Sequence, residues 1–167
     1  MAVFDKLIPH ADKAQLHTGE AYEIWTQTLA RYDTLELAQY FENQIHDKDL
    51  KFIVKAGINN LIQKQIKTLE NLADEYKVPL PTRPPKNPYL KSTTDQVRDE
   101  EIFRIILDGA QTAMDVHVKS IKIASSDKLR NIFRDFLNQE LDSYETMFKY
   151  GKLKGWIKSP PDYIHNN

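Results

Sequence analysis

The placement of proline limits this chain to a small set of folds. Its eight prolines lie at positions 9, 79, 81, 84, 85, 88, 160 and 161, so residues 10–78 and 89–159 contain none. Proline inside a helix removes a backbone hydrogen bond and clashes with the preceding turn. The two proline-free blocks are therefore free to form long helices. The spacing predicts two helical hairpins joined by a proline-rich connection.

Apolar residues in the first block recur at helical spacing, which predicts two helices. The first set is Ala21, Ile24, Trp25, Leu29, Tyr32, Leu35, Leu37, Tyr40, Phe41 and Ile45, and the second is Leu50, Ile53, Val54, Ile58, Leu61, Ile62, Leu69, Leu72 and Tyr76. Thr18 is predicted to cap the first helix, and Asp47, which lies between the two sets, is predicted to cap the second.

The second block repeats this plan. Its apolar sets are Ile102, Phe103, Ile106, Leu107, Ala110, Ala113, Met114, Ile121 and Ala124, followed by Leu129, Ile132, Phe133, Phe136, Leu137, Leu141, Tyr144, Met147 and Phe148. Thr93 and Gln96 have the spacing of a capping box for the third helix. Ser126 is predicted to cap the fourth helix, and Gly151 or Gly155 to supply its left-handed end.

These elements predict an all-α fold in a single domain of residues 1–167. The hairpins cover about 18–76 and 93–152, the connection covers 77–92, and a C-terminal tail covers 156–167. Short connections make the two helices of each hairpin antiparallel neighbours, whereas a proline-stiffened segment can run the length of the bundle. A four-helix bundle with one long crossover between helices 2 and 3 has the ferritin-like, up-down-down-up connectivity.

Composition excludes several functional classes. The chain has no cysteine, which excludes disulfides, thiolate metal sites and a cysteine nucleophile. The net charge is −1, without the basic excess expected of a nucleic-acid-binding domain. No apolar run approaches the length of about 18 residues that spans a bilayer, and the first residues do not resemble a signal peptide. We therefore expect an intracellular protein that binds neither nucleic acid nor membrane.

A ferritin-like bundle raises the question of a di-metal centre, which takes glutamates from the four helices and Glu-x-x-His pairs from two of them. The sequence contains no Glu-x-x-His. One polar residue nevertheless interrupts the apolar face of each helix, and these are Glu20, Gln65, His117 and Glu140. Burial of such groups costs several kcal/mol unless they are paired. They form either a degenerate site for iron, manganese or zinc, or a structural hydrogen-bond network such as Glu140 with His117 or Tyr144.

Glu140 offers a way to separate these interpretations. Well-packed apolar replacements of buried charges are often neutral or stabilising. If Glu140 is only a buried polar group, Glu140→Leu is expected to leave the protein folded and at least as stable. A large fall in melting temperature would instead show that Glu140 anchors a network.

Two further motifs have a structural interpretation. Lys149, Lys152, Lys154 and Lys158 lie where the last helix ends, and positive charge there complements the helix dipole. Residues 160–163, PPDY, match the P-P-x-Y ligands of aromatic-grooved modules. We expect this segment to be a short tail that lies against the bundle.

Three segments resemble a known family. They are residues 16–25 (LHTGEAYEIW), residues 78–81 (VPLP), and the tail from GWI at 155–157 to PPDY at 160–163. They are similar to the corresponding elements of the domain-of-unknown-function 3231 family of Bacillus, whose helix 1 opens L-T-x-x-E-x-x-x-L-W. Members of this family are often labelled spore coat proteins similar to coat protein F. The resemblance implies a ferritin-like fold, a link to endospore-forming bacteria, and no established activity. It also implies that a histidine common in the family is replaced here by Gln65.

The residues and the resemblance together favour a non-enzymatic structural or interaction protein without a cofactor, associated with the spore coat. Its expected partners are other coat proteins or a second copy of the chain in a homodimer. The alternative is a metal-binding or oxidase-like relative of ferritins that uses Glu20, His117 and Glu140. A third hypothesis is a small-ligand carrier, which a buried pocket beside His117 would support.

Overall fold

The computed structural model describes residues 15–84 and 97–161. Within these ranges the chain is helical and contains no strand, which confirms the predicted all-α class. No helix in the described ranges is both long and apolar enough to cross a membrane. The helices are α1 (Thr18–Gln44), α2 (Lys48–Gly57), α3 (Gln63–Tyr76), α4 (Asp99–Ile123) and α5 (Asp127–Lys154).

A π-helical turn, Ile58–Ile62, joins α2 to α3 without a break. Gly57 and Gln63 on either side of it keep right-handed helical dihedral angles, and the Gln63 N–H donates to the Ile58 carbonyl five residues earlier. Residues 48–76 therefore form one continuous rod, called the α2–α3 rod below. The sequence periodicity predicts a regular α-helix here and does not reveal the wider turn, a feature often found at functional sites.

His17, and not the predicted Thr18, caps α1. The Nδ1 atom of His17 accepts hydrogen bonds from the Gly19 N–H at 3.0 Å and the Glu20 N–H at 3.3 Å. The Glu20 carboxylate accepts the His17 N–H at 3.1 Å in return. This reciprocal pair is a capping box in which an imidazole takes the place of the usual hydroxyl. Thr18 is consequently the first helical residue.

The other helix ends follow the predictions more closely. The Asp47 side chain caps α2 and the Ser126 side chain caps α5, as predicted. Gly155 ends α5 with a left-handed φ of 70°, whereas Gly151 lies buried within the helix. Arg98 is the N-cap of α4, so this helix begins at Asp99 rather than near 93. The predicted capping box of residues 93–96 lies outside the described residues.

Hydrogen bonds between helices show which helix ends meet. Glu20, in the first turn of α1, accepts the backbone N–H of Ser125 in the turn after α4, at 2.7 Å. Asp99, at the start of α4, accepts the N–H of Asp47 after the end of α1, also at 2.7 Å. The Lys154 Nζ of α5 lies 2.6 Å from the Asp47 carboxylate. α1 and α4 are therefore antiparallel, and α5 ends where α4 begins.

The core consists of two apolar clusters with polar residues between them. The first contains Tyr32, Leu35, Phe41, Leu50, Val54, Ile62, Phe103 and Met147, and the second contains Ile24, Leu69, Leu72, Leu129, Phe133 and Phe136. Buried polar residues separate the clusters along the chain: Arg31 on α1, His117 and Ser120 on α4, and Glu140 on α5. The bundle therefore has a polar layer between its two apolar halves.

The C-terminal motifs extend this packing. Lys152 and Lys154 lie in the last turn of α5, as expected for residues that complement the helix dipole. Trp156 and Ile157 pack against the first apolar cluster, with the Trp156 and Phe103 ring centroids 5.6 Å apart. The tail therefore begins against the bundle. Positions 162 and 163 of the P-P-x-Y motif lie outside the described residues.

Candidate functional site

One face of α1 carries a row of buried polar side chains. The row consists of Glu20, Glu23, Gln27 and Arg31, each 6% exposed or less. Spacings of three and four residues place them on the same side of the helix. They contact His117 and Ser120 of α4, Glu140 of α5, and the turn between α4 and α5. These seven residues are called the polar seam below.

Arg31 lies at the centre of the deepest part of the seam. Its Nη2 atom is 2.9 Å from His117 Nε2 and 2.6 Å from Glu140 Oε1. His117 Nε2 and Glu140 Oε1 are themselves 3.9 Å apart. Glu140 Oε1 accepts no directed hydrogen bond from the described residues, so its interaction with Arg31 is a close charge contact. A single guanidinium therefore joins the imidazole to the carboxylate.

The contact with Arg31 defines the charge state of His117. A guanidinium has only donors, so His117 Nε2 must be the acceptor and the ring proton must lie on Nδ1. Burial lowers the pKa of His117, and the charge of Arg31 lowers it further, although Glu140 opposes both effects. His117 is therefore a neutral imidazole. Its Nδ1 atom is buried without a hydrogen-bond partner among residues 15–84 and 97–161.

Ser120 organises the middle of the seam. Its Oγ donates to Glu23 Oε2 at 2.7 Å and accepts a hydrogen bond from Gln27 Nε2, also at 2.7 Å. The other Glu23 oxygen lies 2.9 Å from the Nζ of Lys119, whose side chain is 58% exposed. Glu23 raises the pKa of this lysine. The charge of Glu23 is thus balanced at the bundle surface, whereas that of Glu140 is balanced inside it.

Glu20 closes the end of the seam. One carboxylate oxygen accepts the Ser125 and Ser126 N–H groups at 2.7 and 3.0 Å and the Ser125 hydroxyl at 2.9 Å. Burial works to raise the pKa of Glu20, but hydrogen bonds from Ser126, His17 and Ser125 outweigh it and hold the pKa below its ordinary value. Glu20 therefore stays ionised and fastens the α4–α5 turn to the start of α1.

The four candidate site residues do not meet at one point. His117 Nε2 and Glu140 Oε1 lie 3.9 Å apart, and Arg31 bridges them. Glu20 lies three helical turns before Arg31 on α1, where its carboxylate accepts hydrogen bonds from the α4–α5 turn. Gln65 Nε2 instead donates to Gln139 Oε1 at 3.2 Å. In the part of the chain that the structure describes, no group of three histidine, aspartate or glutamate side chains is arranged to hold a metal ion.

The sequence does not identify Arg31, nor Glu23, Gln27 and Ser120 in the middle of the seam, as site residues. Arg31 lies seven residues after Ile24 and four before Leu35, on the same helix face as both. This spacing is the signal that could have found it. Charged residues are almost never fully buried unless they are paired. An arginine is therefore expected to lie on the protein surface unless its partner is known.

A cavity of about 270 Å³ borders the polar seam. Most of its lining is apolar and comes from α1, the α2–α3 rod, α4 and α5; it includes Ala38, Phe41, Val54, Leu61, Ile62, Ile106 and Met147. Arg31 and Glu140, which both contact His117, also line it. The cavity therefore reaches two residues that contact His117, but His117 itself, beside which the third hypothesis expects a pocket, is not part of the lining.

Comparison with known proteins agrees with the helical architecture. The model of a family described as "Protein of unknown function (DUF3231)" matches residues 6–167. The chain belongs to the DUF3231 family. This membership confirms the resemblance of the three sequence segments.

Two solved structures are similar to the chain. A "putative spore coat protein" from Bacillus halodurans C-125 shares 25% sequence identity with a TM-score of 0.84, and the match covers 92% of this chain and 98% of that one. A DUF305 fragment from Deinococcus radiodurans shares 11% identity with a TM-score of 0.64, over 82% of this chain and 97% of the fragment. The second likeness concerns the fold alone. No curated protein matches the chain.

Proposed function

We propose that the chain is a non-catalytic structural protein of the bacterial spore coat that acts by binding other proteins. The observation that carries this proposal is the likeness to the Bacillus halodurans protein, which extends over nearly all of both chains. The partners are other coat proteins or a second copy of the chain, and neither nucleic acid nor membrane is among them. The whole chain of residues 1–167 acts as one domain.

The proposed topology is the ferritin-like, up-down-down-up bundle with a long crossover between the second and third rods. It is supported by the antiparallel contacts of α1 with α4, since the chain must then pass from one end of the bundle to the other between Tyr76 and Asp99. The first part of this segment turns back along the bundle. Arg83 lies 3.6 Å from the Glu70 carboxylate of α3 and over the Tyr32 ring of α1. Residues 85–92 of the predicted crossover lie outside the described residues.

The polar seam supports a structural role over a metal site. In a carboxylate metal centre, the cation is the element that neutralises buried glutamates and orders the imidazoles. Here the Arg31 guanidinium makes those contacts with Glu140 and His117. A guanidinium is permanently charged and supplies no open coordination position. The seam therefore holds its own cation.

Spore fractionation tests the location. Spores of the bacterium that encodes the chain are extracted for coat proteins, and the protein is quantified in coat extract, spore core and vegetative lysate. The proposal predicts enrichment in the coat extract. Equal amounts in vegetative lysate and spore core would contradict it.

Surface variants test the mode of action. Phe52 and Leu153 are 74% and 82% exposed, so Phe52→Ser and Leu153→Ser remove apolar surface without opening the core. Because Lys154 contacts Asp47, both positions lie near the same end of the bundle. Combining them is expected to reduce incorporation into the coat while leaving the melting temperature unchanged. Tyr22→Ser, on a 58% exposed residue at the opposite end, is the matched control.

A further inference from the structure

We propose that the cavity beside the polar seam binds a small, neutral, largely apolar molecule that carries one hydrogen-bond donor, and that Glu140 accepts this donor. Nothing in this inference depends on the spore coat assignment.

The size and lining of the cavity define the first part of the ligand's chemistry. A buried apolar cavity of about 150 Å³ is known to hold benzene. At the same volume per ligand atom, a cavity of 270 Å³ has room for a molecule of roughly eleven non-hydrogen atoms. Ligand sites are typically apolar clefts with a few placed polar groups, and all helical rods of the described bundle contribute apolar side chains to this one.

Two features of the wall leave room for such a molecule. The π-helical turn contributes Leu61 and Ile62 to the lining. Gly57, just before that turn, and Gly109 on α4 face the cavity without side chains. A Cβ at either glycine would meet no atom of the described residues within 4 Å apart from the adjacent backbone of its own helix. The apolar rim includes Leu37 and Ile105, which are 47% and 46% exposed.

The charges at the floor define the second part of the chemistry. Arg31 and Glu140 neutralise each other at 2.6 Å, so neither is free to neutralise the charge of a ligand. A charged ligand would therefore lose its hydration in an apolar site without compensation. Glu140 lines the cavity, and its Oε1 atom is occupied by the contact with Arg31, which leaves Oε2 as the carboxylate oxygen for a ligand. An alcohol or phenol hydroxyl can donate to this oxygen without adding charge. The other polar lining residues, Asp33, Thr34 and Ser143, are more exposed than Glu140.

The probe for this site is 2-naphthol, which has the required size, is neutral at pH 7 and carries one donor. Isothermal titration of the full-length protein is expected to show one saturable site with a Kd of about 10–100 µM, as ligands of this size reach. The methyl ether, 2-methoxynaphthalene, lacks the donor and is expected to bind at least tenfold more weakly. The 2-naphthoate anion is expected not to bind. Absence of saturable 2-naphthol binding, or equal binding of the ether, would overturn the proposal.

Two observations on the protein locate the binding. In an amide NMR titration, the Gly57 and Gly109 signals are expected to shift with 2-naphthol, whereas Gly155 serves as the distant internal reference. Gly57→Leu fills part of the cavity without a clash and is expected to weaken 2-naphthol binding at least tenfold. Asn60→Leu places the same side chain at an exposed position that does not line the cavity, and its Kd is expected to be unchanged. Unshifted Gly57 and Gly109 signals, or wild-type affinity of Gly57→Leu, would contradict the assignment.

Discussion

Arg31→Met is the perturbation that most directly probes the polar seam. Methionine retains the length and much of the volume of arginine but removes the guanidinium. Glu140 would then keep a buried carboxylate without a counter-charge, and His117 Nε2 would lose its 2.9 Å donor. The variant therefore breaks both interactions that Arg31 makes at the centre of the bundle.

The structure gives the magnitude of this loss. At the 2.6 Å separation of Arg31 and Glu140, the attraction is about 6 kcal/mol at an effective dielectric constant of ~20. The hydrogen bond to His117 adds about 1–3 kcal/mol. Against these losses, the variant no longer has to bury a guanidinium, which removes a desolvation penalty of several kcal/mol. The net effect is a fall of about 3–5 kcal/mol in the free energy of unfolding, as found when one partner of a buried pair is removed.

Urea denaturation followed by circular dichroism at pH 7 measures this fall in the free energy of unfolding, by comparison of Arg31→Met with the unaltered protein.

Glu140→Leu supplies the control and completes a double-mutant cycle. The sequence alone suggests that this substitution is neutral or stabilising, but the structure changes that expectation, because Arg31 would be left as an unpaired buried cation. Each single variant should therefore be destabilised, whereas the double variant should recover more than half of the summed loss. A cost below about 1 kcal/mol for Arg31→Met, or strictly additive effects, would show that Arg31 and Glu140 do not stabilise the core as a pair.

Two other predictions concern the helix ends and the packing of glycine. Hydrogen bonds from Lys154 and from the Leu50 N–H lower the pKa of Asp47 to about 2. The ionised Asp47 carboxylate therefore contributes its full stabilisation of the fold above its unfolded-state pKa, and this contribution is lost as the pH falls through about 2. The free energy of unfolding, measured by urea denaturation at a series of pH values below 5, should fall by roughly 2 kcal/mol. Asp47→Asn keeps a good helix cap but has no carboxylate, and it should not show this fall. Gly151→Ala adds a methyl group against the Phe103 ring and should cost about 1–3 kcal/mol. Gly57→Ala, in open space, should stabilise by up to about 1 kcal/mol; equal effects at the two glycines in thermal denaturation would contradict the packing.

The sequence predicts the helices well because the signals for them are local. Proline spacing and apolar periodicity identify the rods, and the short side chains of Asp47 and Ser126 identify two helix starts. His17 was missed because imidazole is an uncommon cap. The π-helical turn was missed because one inserted residue changes the apolar pattern of residues 58–62 very little.

The candidate site is only partly predictable because its geometry is non-local. His117 and Glu140 are recognisable as polar positions within apolar faces, and they do meet. Glu20 shares that pattern, but its height along the bundle depends on how α1 pairs with α4, which no single helix reveals. Arg31 was missed because its partners lie 86 and 109 residues further along the chain.

Arg31 supplies the cation of this core, and metal analysis of the purified protein shows whether another cation is needed. The full-length protein, purified without chelator and then exposed to iron, manganese or zinc, is analysed by mass spectrometry for bound metal after gel filtration. If Arg31 is the only cation, the protein should hold far less than one ion per chain, and EDTA should not change its melting temperature. One tightly bound ion per chain that is lost in Glu140→Ala would contradict it.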